Sequence, residues 1–239
     1  MARLLVTRPD PDATRTARSL RMRGHDVLVS PAIRIEPIDA HLPEDGLQAV
    51  LVTSANAVRA LQVHGELQSL QHLPLYAVGD RTAAEAHHLG FASVDSAHGN
   101  AADLAELIRE RVAPSDGPLL YLAADRRAGH LEDELAAAGF SVILKEIYRS
   151  TPAETLTPEA KAALADGEEI GILVYSAESA AAFARAVEAA GLRPLKKSAT
   201  YFCLSEQMAG PLRNLGEGPI LVANRPNEAS LFELIEGRR

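Results

Sequence analysis

Short apolar runs recur along this chain, each followed by a small polar turn and an alanine-rich stretch. Leu4-Leu5-Val6 leads into Thr7-Arg8-Pro9-Asp10, after which Ala13, Ala17 and Leu20 fall at i, i+4 and i+7, one face of a helix. The same order returns at Val50-Leu51-Val52, Leu75-Tyr76-Ala77-Val78, Leu119-Leu120-Tyr121-Leu122, Ile172-Leu173-Val174-Tyr175 and Tyr201-Phe202-Cys203-Leu204. Three predicted helices leave through a glycine followed by a strand: Gly24 before Val27, Gly90 before Val94, and Gly139 before Val142. Continuous apolar strands alternating with helices predict an α/β fold whose parallel sheets are covered on both faces. Right-handed crossovers then bring the strand-to-helix loops to one sheet edge, where ligands of such folds bind.

Two segments break this pattern. Pro31-Ala32-Ile33-Arg34-Ile35-Glu36-Pro37 is bracketed by prolines and alternates apolar with charged residues, and residues 145–152 (Lys-Glu-Ile-Tyr-Arg-Ser-Thr-Pro) behave alike. Proline disfavours helix interiors and central strands, so both are expected as exposed extended connectors. Paired, they would join a lobe of residues 36–148 to a discontinuous lobe of residues 1–35 and 149–239.

Composition narrows the picture. Aromatic residues make up 4% of the chain and Trp is absent, so the cores are aliphatic and base-stacking platforms are not expected. The net charge of −8 argues against general affinity for nucleic acid or anionic membranes. It is uneven, however: residues 36–148 carry −10, whereas residues 1–35 carry +4, a distribution suited to an anionic ligand facing the N-terminal part. Cys203 is the single cysteine, which excludes an intrachain disulfide and fits a reducing cytoplasm. The N-terminal apolar run is too short for a signal peptide or a membrane span.

Nucleotide-binding glycine motifs, HExxH and GxSxG are all missing. His87-His88 point apart on a helix, so a metal there is not expected. What stands out is a set of loops rich in Ser, Thr, Asn and Gly at 53–56, 79–82, 176–179 and 205–207, each where a helix begins. Any one of them reads best as a helix cap. Several at one sheet edge offer free N–H groups and partial positive charge to a polyanion. Tyr148, on a predicted connector, is a candidate proton or hydrogen-bond donor.

In order along the chain, Leu5-Val6-Thr7-Arg8-Pro9, the 31–37 connector, Val52-Thr53-Ser54-Ala55-Asn56-Ala57-Val58, Ala77-Val78-Gly79-Asp80-Arg81-Thr82-Ala83, Gly139-Phe140-Ser141-Val142 and Ile147-Tyr148-Arg149 resemble uroporphyrinogen-III synthase. The resemblance implies two flavodoxin-like lobes, each a small parallel sheet flanked by helices, joined by a two-stranded connector. It implies a linear tetrapyrrole polycarboxylate, hydroxymethylbilane, as substrate. The implied reaction is cyclisation with loss of water and inversion of the last pyrrole ring, without cofactor or metal. A cytoplasmic monomer is expected, with no nucleic-acid or membrane partner.

Within that resemblance Tyr148 is the expected catalytic residue. Thr53, Ser54, Asn56, Gly79, Thr82, Ser176, Ala177, Ser205 and Gln207 are expected to line the substrate cleft. Arg8, Arg15 and Arg127 are assigned to substrate carboxylates from charge and position. The chain departs from the family where Ser205-Glu206-Gln207-Met208-Ala209 replaces a glycine- and threonine-containing loop, and where Tyr175-Ser176-Ala177-Glu178-Ser179 replaces a Thr-Ser-Pro run. The rival reading is a non-catalytic bilobal module that binds an anion or a tetrapyrrole. A receiver-type signalling domain is disfavoured, because Asp80 and Asp125 are isolated.

Overall fold

The computed structural model describes residues 1–126, 131–196 and 198–237. In chain order its elements begin with β1 (Arg3–Val6), α1 (Asp12–Met22), β2 (Asp26–Val29), β3 (Ile33–Pro37), β4 (Ala49–Val52), α2 (Ala55–Leu61), α3 (Leu67–Leu70), β5 (Leu75–Ala77), α4 (Asp80–His88), β6 (Val94–Ser96) and α5 (Ala101–Arg111). They continue with β7 (Leu119–Ala124), α6 (Leu131–Ala137), β8 (Val142–Pro152), α7 (Pro158–Asp166), β9 (Ile170–Val174), α8 (Ala177–Ala189), β10 (Ala199–Cys203), α9 (Ala209–Arg213), β11 (Ile220–Val222) and α10 (Glu228–Glu236). The chain divides into two compact units, Met1–Arg34 with Thr151–Arg239, and Ile35–Ser150.

The first unit holds a five-stranded sheet in the order β2-β1-β9-β10-β11, all parallel. Counted within the unit this is the 2-1-3-4-5 order of flavodoxin-like folds, whose switch point lies between the first and third strands, here β1 and β9. α1 turns Ala13, Thr16, Ala17 and Leu20 inward. The apolar members of that face pack with Leu4, Val6, Leu173 and Phe202 of the sheet and with Leu231, Phe232 and Ile235 of α10.

In the second unit the sheet order is β3-β8-β7-β4-β5-β6. Its parallel part runs 3-2-1-4-5 when counted within the unit, which sets the switch point between β4 and β7. Successive β4 residues pack on opposite faces. Val50 and Val52 meet Val58 and Leu61 of α2 and Ala83 and Ala86 of α4, whereas Ala49 and Leu51 meet Leu104 and Ile108 of α5 and Leu135 of α6. Burial on both faces explains why the strand reads as an unbroken apolar run. Gly90 and Gly139 end their helices with φ of 98° and 91°, a conformation that costs a residue with a Cβ.

The two proline-flanked segments prove to be more than connectors. β8 is an eleven-residue strand that begins three residues before the expected connector and is paired with β7 from Leu119↔Val142 onward, so the connector continues a strand of the sheet. β3 is its neighbour at the sheet edge. The N–H of Ile38 donates to the carbonyl of Ile147 at 2.8 Å and that of Ala153 to Ala32 at 2.8 Å, so β3 and β8 run antiparallel. The two segments thus pair as the sequence led one to expect, with the ladder antiparallel. The prolines are accommodated at the strand ends, where the ladder needs no further donor.

Candidate functional site

In the second unit, loops 53–56 and 79–82 follow the adjacent strands β4 and β5. Val78 N–H donates to Val52 O at 3.1 Å and Gly99 N–H to Val78 O at 3.0 Å, which zips the loop origins together beyond the strand ends. Thr53 Oγ1 lies 3.1 Å from the Tyr121 hydroxyl, a bond across the β4–β7 switch point. Ser54 caps α2, its Oγ accepting from the N–H of Asn56. Asn56 in turn accepts from Arg59, which donates to Glu85 of α4. Of this loop's polar side chains, Ser54 and Asn56 are therefore committed to holding helices.

Gly79 stands at the start of α4 with extended backbone, and a Cβ there would meet nothing within 4 Å. Neither strain nor packing demands this glycine, and its lack of a side chain keeps the turn open to close approach. Thr82 is buried in the first turn of the same helix. Asp80 Oδ1 accepts from Ser96 at 2.7 Å and lies 2.5 Å from His98 Nδ1. The Ser96 bond, with His98 adding to it, holds the Asp80 carboxyl below its ordinary range. His98 has φ of 55°, the one non-glycine residue with positive φ among the described residues.

Tyr148 differs from expectation. It lies within β8, 7% exposed, in the core cluster that also holds Val52, Val58 and Ala124. A β-bulge is the cause. Ala123 faces Glu146 and Ala124 faces Tyr148, which leaves Ile147 as the extra residue. The bulge turns two consecutive residues to the same face and brings Tyr148 to the carboxyl end of β7, next to the switch point. Its carbonyl accepts from the N–H of Asp125 at 2.9 Å. Asp125 Oδ1 is buried there without a hydrogen-bond partner among the described residues.

In the first unit the carboxyl edge gathers charge. Thr7 Oγ1 donates to Leu173 O at 2.7 Å across the β1–β9 switch point. Arg8, expected to face a ligand, is 8% exposed and already engaged. Its guanidinium lies 4.2 Å from the centre of the Tyr175 ring, 3.1 Å from Glu228 Oε1 and 3.6 Å from Asp12. Burial lowers the Arg8 pKa, and burial followed by the charge of Glu228 raises that of Tyr175, so at neutral pH Arg8 is charged and Tyr175 is a neutral donor. Arg15 is half-exposed and pairs with Asp12 at 3.1 Å. Arg127 lies outside the described residues.

Among the other expected positions, Ser176 caps α8 by accepting from the N–H of Ser179 at 3.0 Å, and Ala177 is exposed at its first position. Ser205 precedes a short 3₁₀ turn on which Gln207 is exposed and Met208 is buried. Met208 thus fills the core and offers no hydroxyl to the loop. Sequence reasoning missed Thr16, Tyr175 and Glu228. Their signal was faint: a Thr on the buried face of an amphipathic helix, a Tyr at the end of an apolar run, and a Glu just after the Asn227 cap. Among the described residues no three His, Cys, Asp or Glu side chains group as a metal site, and no helix is long and apolar enough to cross a membrane.

Comparison with known proteins agrees with this architecture. A curated uroporphyrinogen-III synthase of Chlorobaculum parvum is 25% identical over 228 residues, covering 90% of each chain. The crystal structure of uroporphyrinogen-III synthetase from Helicobacter pylori superposes with a TM-score of 0.70 at 20% identity, over 100% of both chains. A mutant uroporphyrinogen III synthase from Thermus thermophilus gives 0.50 at 17% identity, over 99% of this chain and 98% of the other. The family described as uroporphyrinogen-III synthase HemD matches residues 14–233, nearly the whole sequence and both units of the fold. This chain belongs to the uroporphyrinogen-III synthase family, enzymes of tetrapyrrole biosynthesis.

Proposed function

We propose that this protein cyclises hydroxymethylbilane to uroporphyrinogen III, with loss of water and inversion of the last pyrrole ring. The observation that carries the reading is the family match over residues 14–233, which takes in most of both units. An electron-rich pyrrole expels its own hydroxyl, so the reaction calls for no strong catalyst. Left alone, the chain closes without inverting the ring. The enzyme's task is to hold the geometry that leads to the spiro intermediate, a positioning effect.

Loops 53–56 and 79–82, each at the positive end of a helix, suit a carboxylate-bearing substrate. Thr53 and Thr82 border those turns. The Tyr148 phenol, brought to the carboxyl edge by its bulge, is the proposed donor to the departing hydroxyl. We place the protein in the cytoplasm, as a monomer acting on a small molecule and not on nucleic acid.

The test supplies hydroxymethylbilane from a coupled deaminase and separates the isomers of the product. Type III uroporphyrinogen is expected. Finding only the uninverted isomer overturns the assignment.

A further inference from the structure

We infer that Arg8, Thr16 and Tyr175 form a carboxylate-binding site at the carboxyl edge of the first unit, and that Glu228 fills it as an internal stand-in for an acidic arm of the ligand. The inference rests on the proposed function only in taking the ligand to be a polycarboxylate.

One oxygen, Glu228 Oε1, receives three donors from three parts of the unit. Thr16 Oγ1 of α1 lies at 2.5 Å, Arg8 after β1 at 3.1 Å, and the Tyr175 hydroxyl after β9 at 3.1 Å. The donors are fixed: the Arg8 and Tyr175 side chains stack, and Thr16 faces inward from its helix. The acceptor is more exposed than Arg8. Glu228 opens the last helix and its side chain is 31% exposed, against 10% for that of Arg8. The cluster sits at the β1–β9 switch point, where ligands of doubly wound sheets bind.

Charge points the same way. With Glu228 displaced, Arg8 and Arg15 face the single carboxylate of Asp12, which contacts both. The site then carries one net positive charge, with a hydroxyl and a phenol already aimed at a common point. A Glu in a first helical turn also favours its helix electrostatically, and a purely structural Glu228 is the competing account. The two differ in sign: a structural Glu, once removed, leaves binding unchanged or weaker, whereas an occupant, once removed, leaves binding stronger.

Glu228→Ala and Glu228→Gln in the full chain decide between them. Uroporphyrin III, a planar octacarboxylate, serves as a fluorescence-quenching probe of affinity, and KM for hydroxymethylbilane is measured in parallel. If Glu228 holds the site most of the time, its removal tightens both about five- to tenfold, and Gln gives a smaller shift in the same direction. Tyr175→Phe added to Glu228→Ala returns part of the gain. Unchanged or weakened porphyrin affinity in a variant with native circular dichroism overturns the inference, and Glu228→Gln decides it alone if the Ala variant does not fold. Tighter porphyrin binding without turnover in any form keeps the site and overturns the enzymatic reading instead.

Discussion

At the scale of single residues, Tyr148, Gly171 and Cys203 carry sharp expectations. Tyr148→Phe removes only a hydroxyl and is expected to lower kcat by about tenfold or more while the fold persists; unchanged turnover removes Tyr148 from the mechanism. Gly171 lies in the central strand β9, where an added Cβ would fall 2.7 Å from Leu4 Cδ2 and 2.8 Å from Phe202 Cε2. Gly171→Ala is therefore expected to destabilise by roughly 1–3 kcal/mol through overpacking, read as a lowered denaturation midpoint. Burial pushes the Cys203 thiol up to about 12, so it stays protonated from pH 7 to pH 9. A thiol reagent at pH 8 should label it only after denaturant is added; prompt native labelling would contradict its burial. The sequence singled out Tyr148 and Cys203 by type but not by surroundings, and passed over Gly171. Arg8 is the instructive case, since charge and position suggested a ligand contact. Its partners, Glu228 and Tyr175, lie far along the chain and are brought to it by strand order.

Elements were more legible than residues. Apolar runs and glycine exits located the main strands because each strand is buried on both faces and each exit needs a left-handed backbone. β11 was passed over, since three residues, Ile220–Val222, contain too little pattern to separate a strand from a turn. The pairing of β3 with β8 was expected from their two proline-flanked segments, whereas the bulge in β8 escaped, because a one-residue slip in pairing leaves no periodic mark. At the helix starts the modest reading of the polar loops was the right one for Ser54 and Ser176, whose side chains cap their helices. Ser176→Ala should cost about 1 kcal/mol of stability through the lost bond to the N–H of Ser179. Measured by chemical denaturation, a loss near zero would show that a neighbour, with the Ser179 hydroxyl 2.9 Å away, takes over the cap.

For the whole molecule, the chain path makes a design prediction. The first unit is interrupted by residues 35–150, yet the Ala153 N–H already donates to Ala32 O at 2.8 Å. Replacing residues 35–150 with an Asn-Gly turn should give a cooperatively unfolding domain of five parallel strands, because that dipeptide closes tight antiparallel turns. A calorimetric scan without a cooperative transition would refute this. The same interruption acts during synthesis. β1 is an inner strand, and its partner β9 is translated only after the whole inserted unit. At 5–20 residues per second, the nascent β1–α1–β2 segment spends on the order of 10–30 seconds with one strand edge bare on the ribosome. The inserted unit, continuous in sequence, is by then fully translated. Slow codons or a missing holdase should consequently harm the N-terminal segment first, and a chaperone that shields Leu4-Leu5-Val6 would raise the yield of active protein more than any stabilising change in the inserted unit.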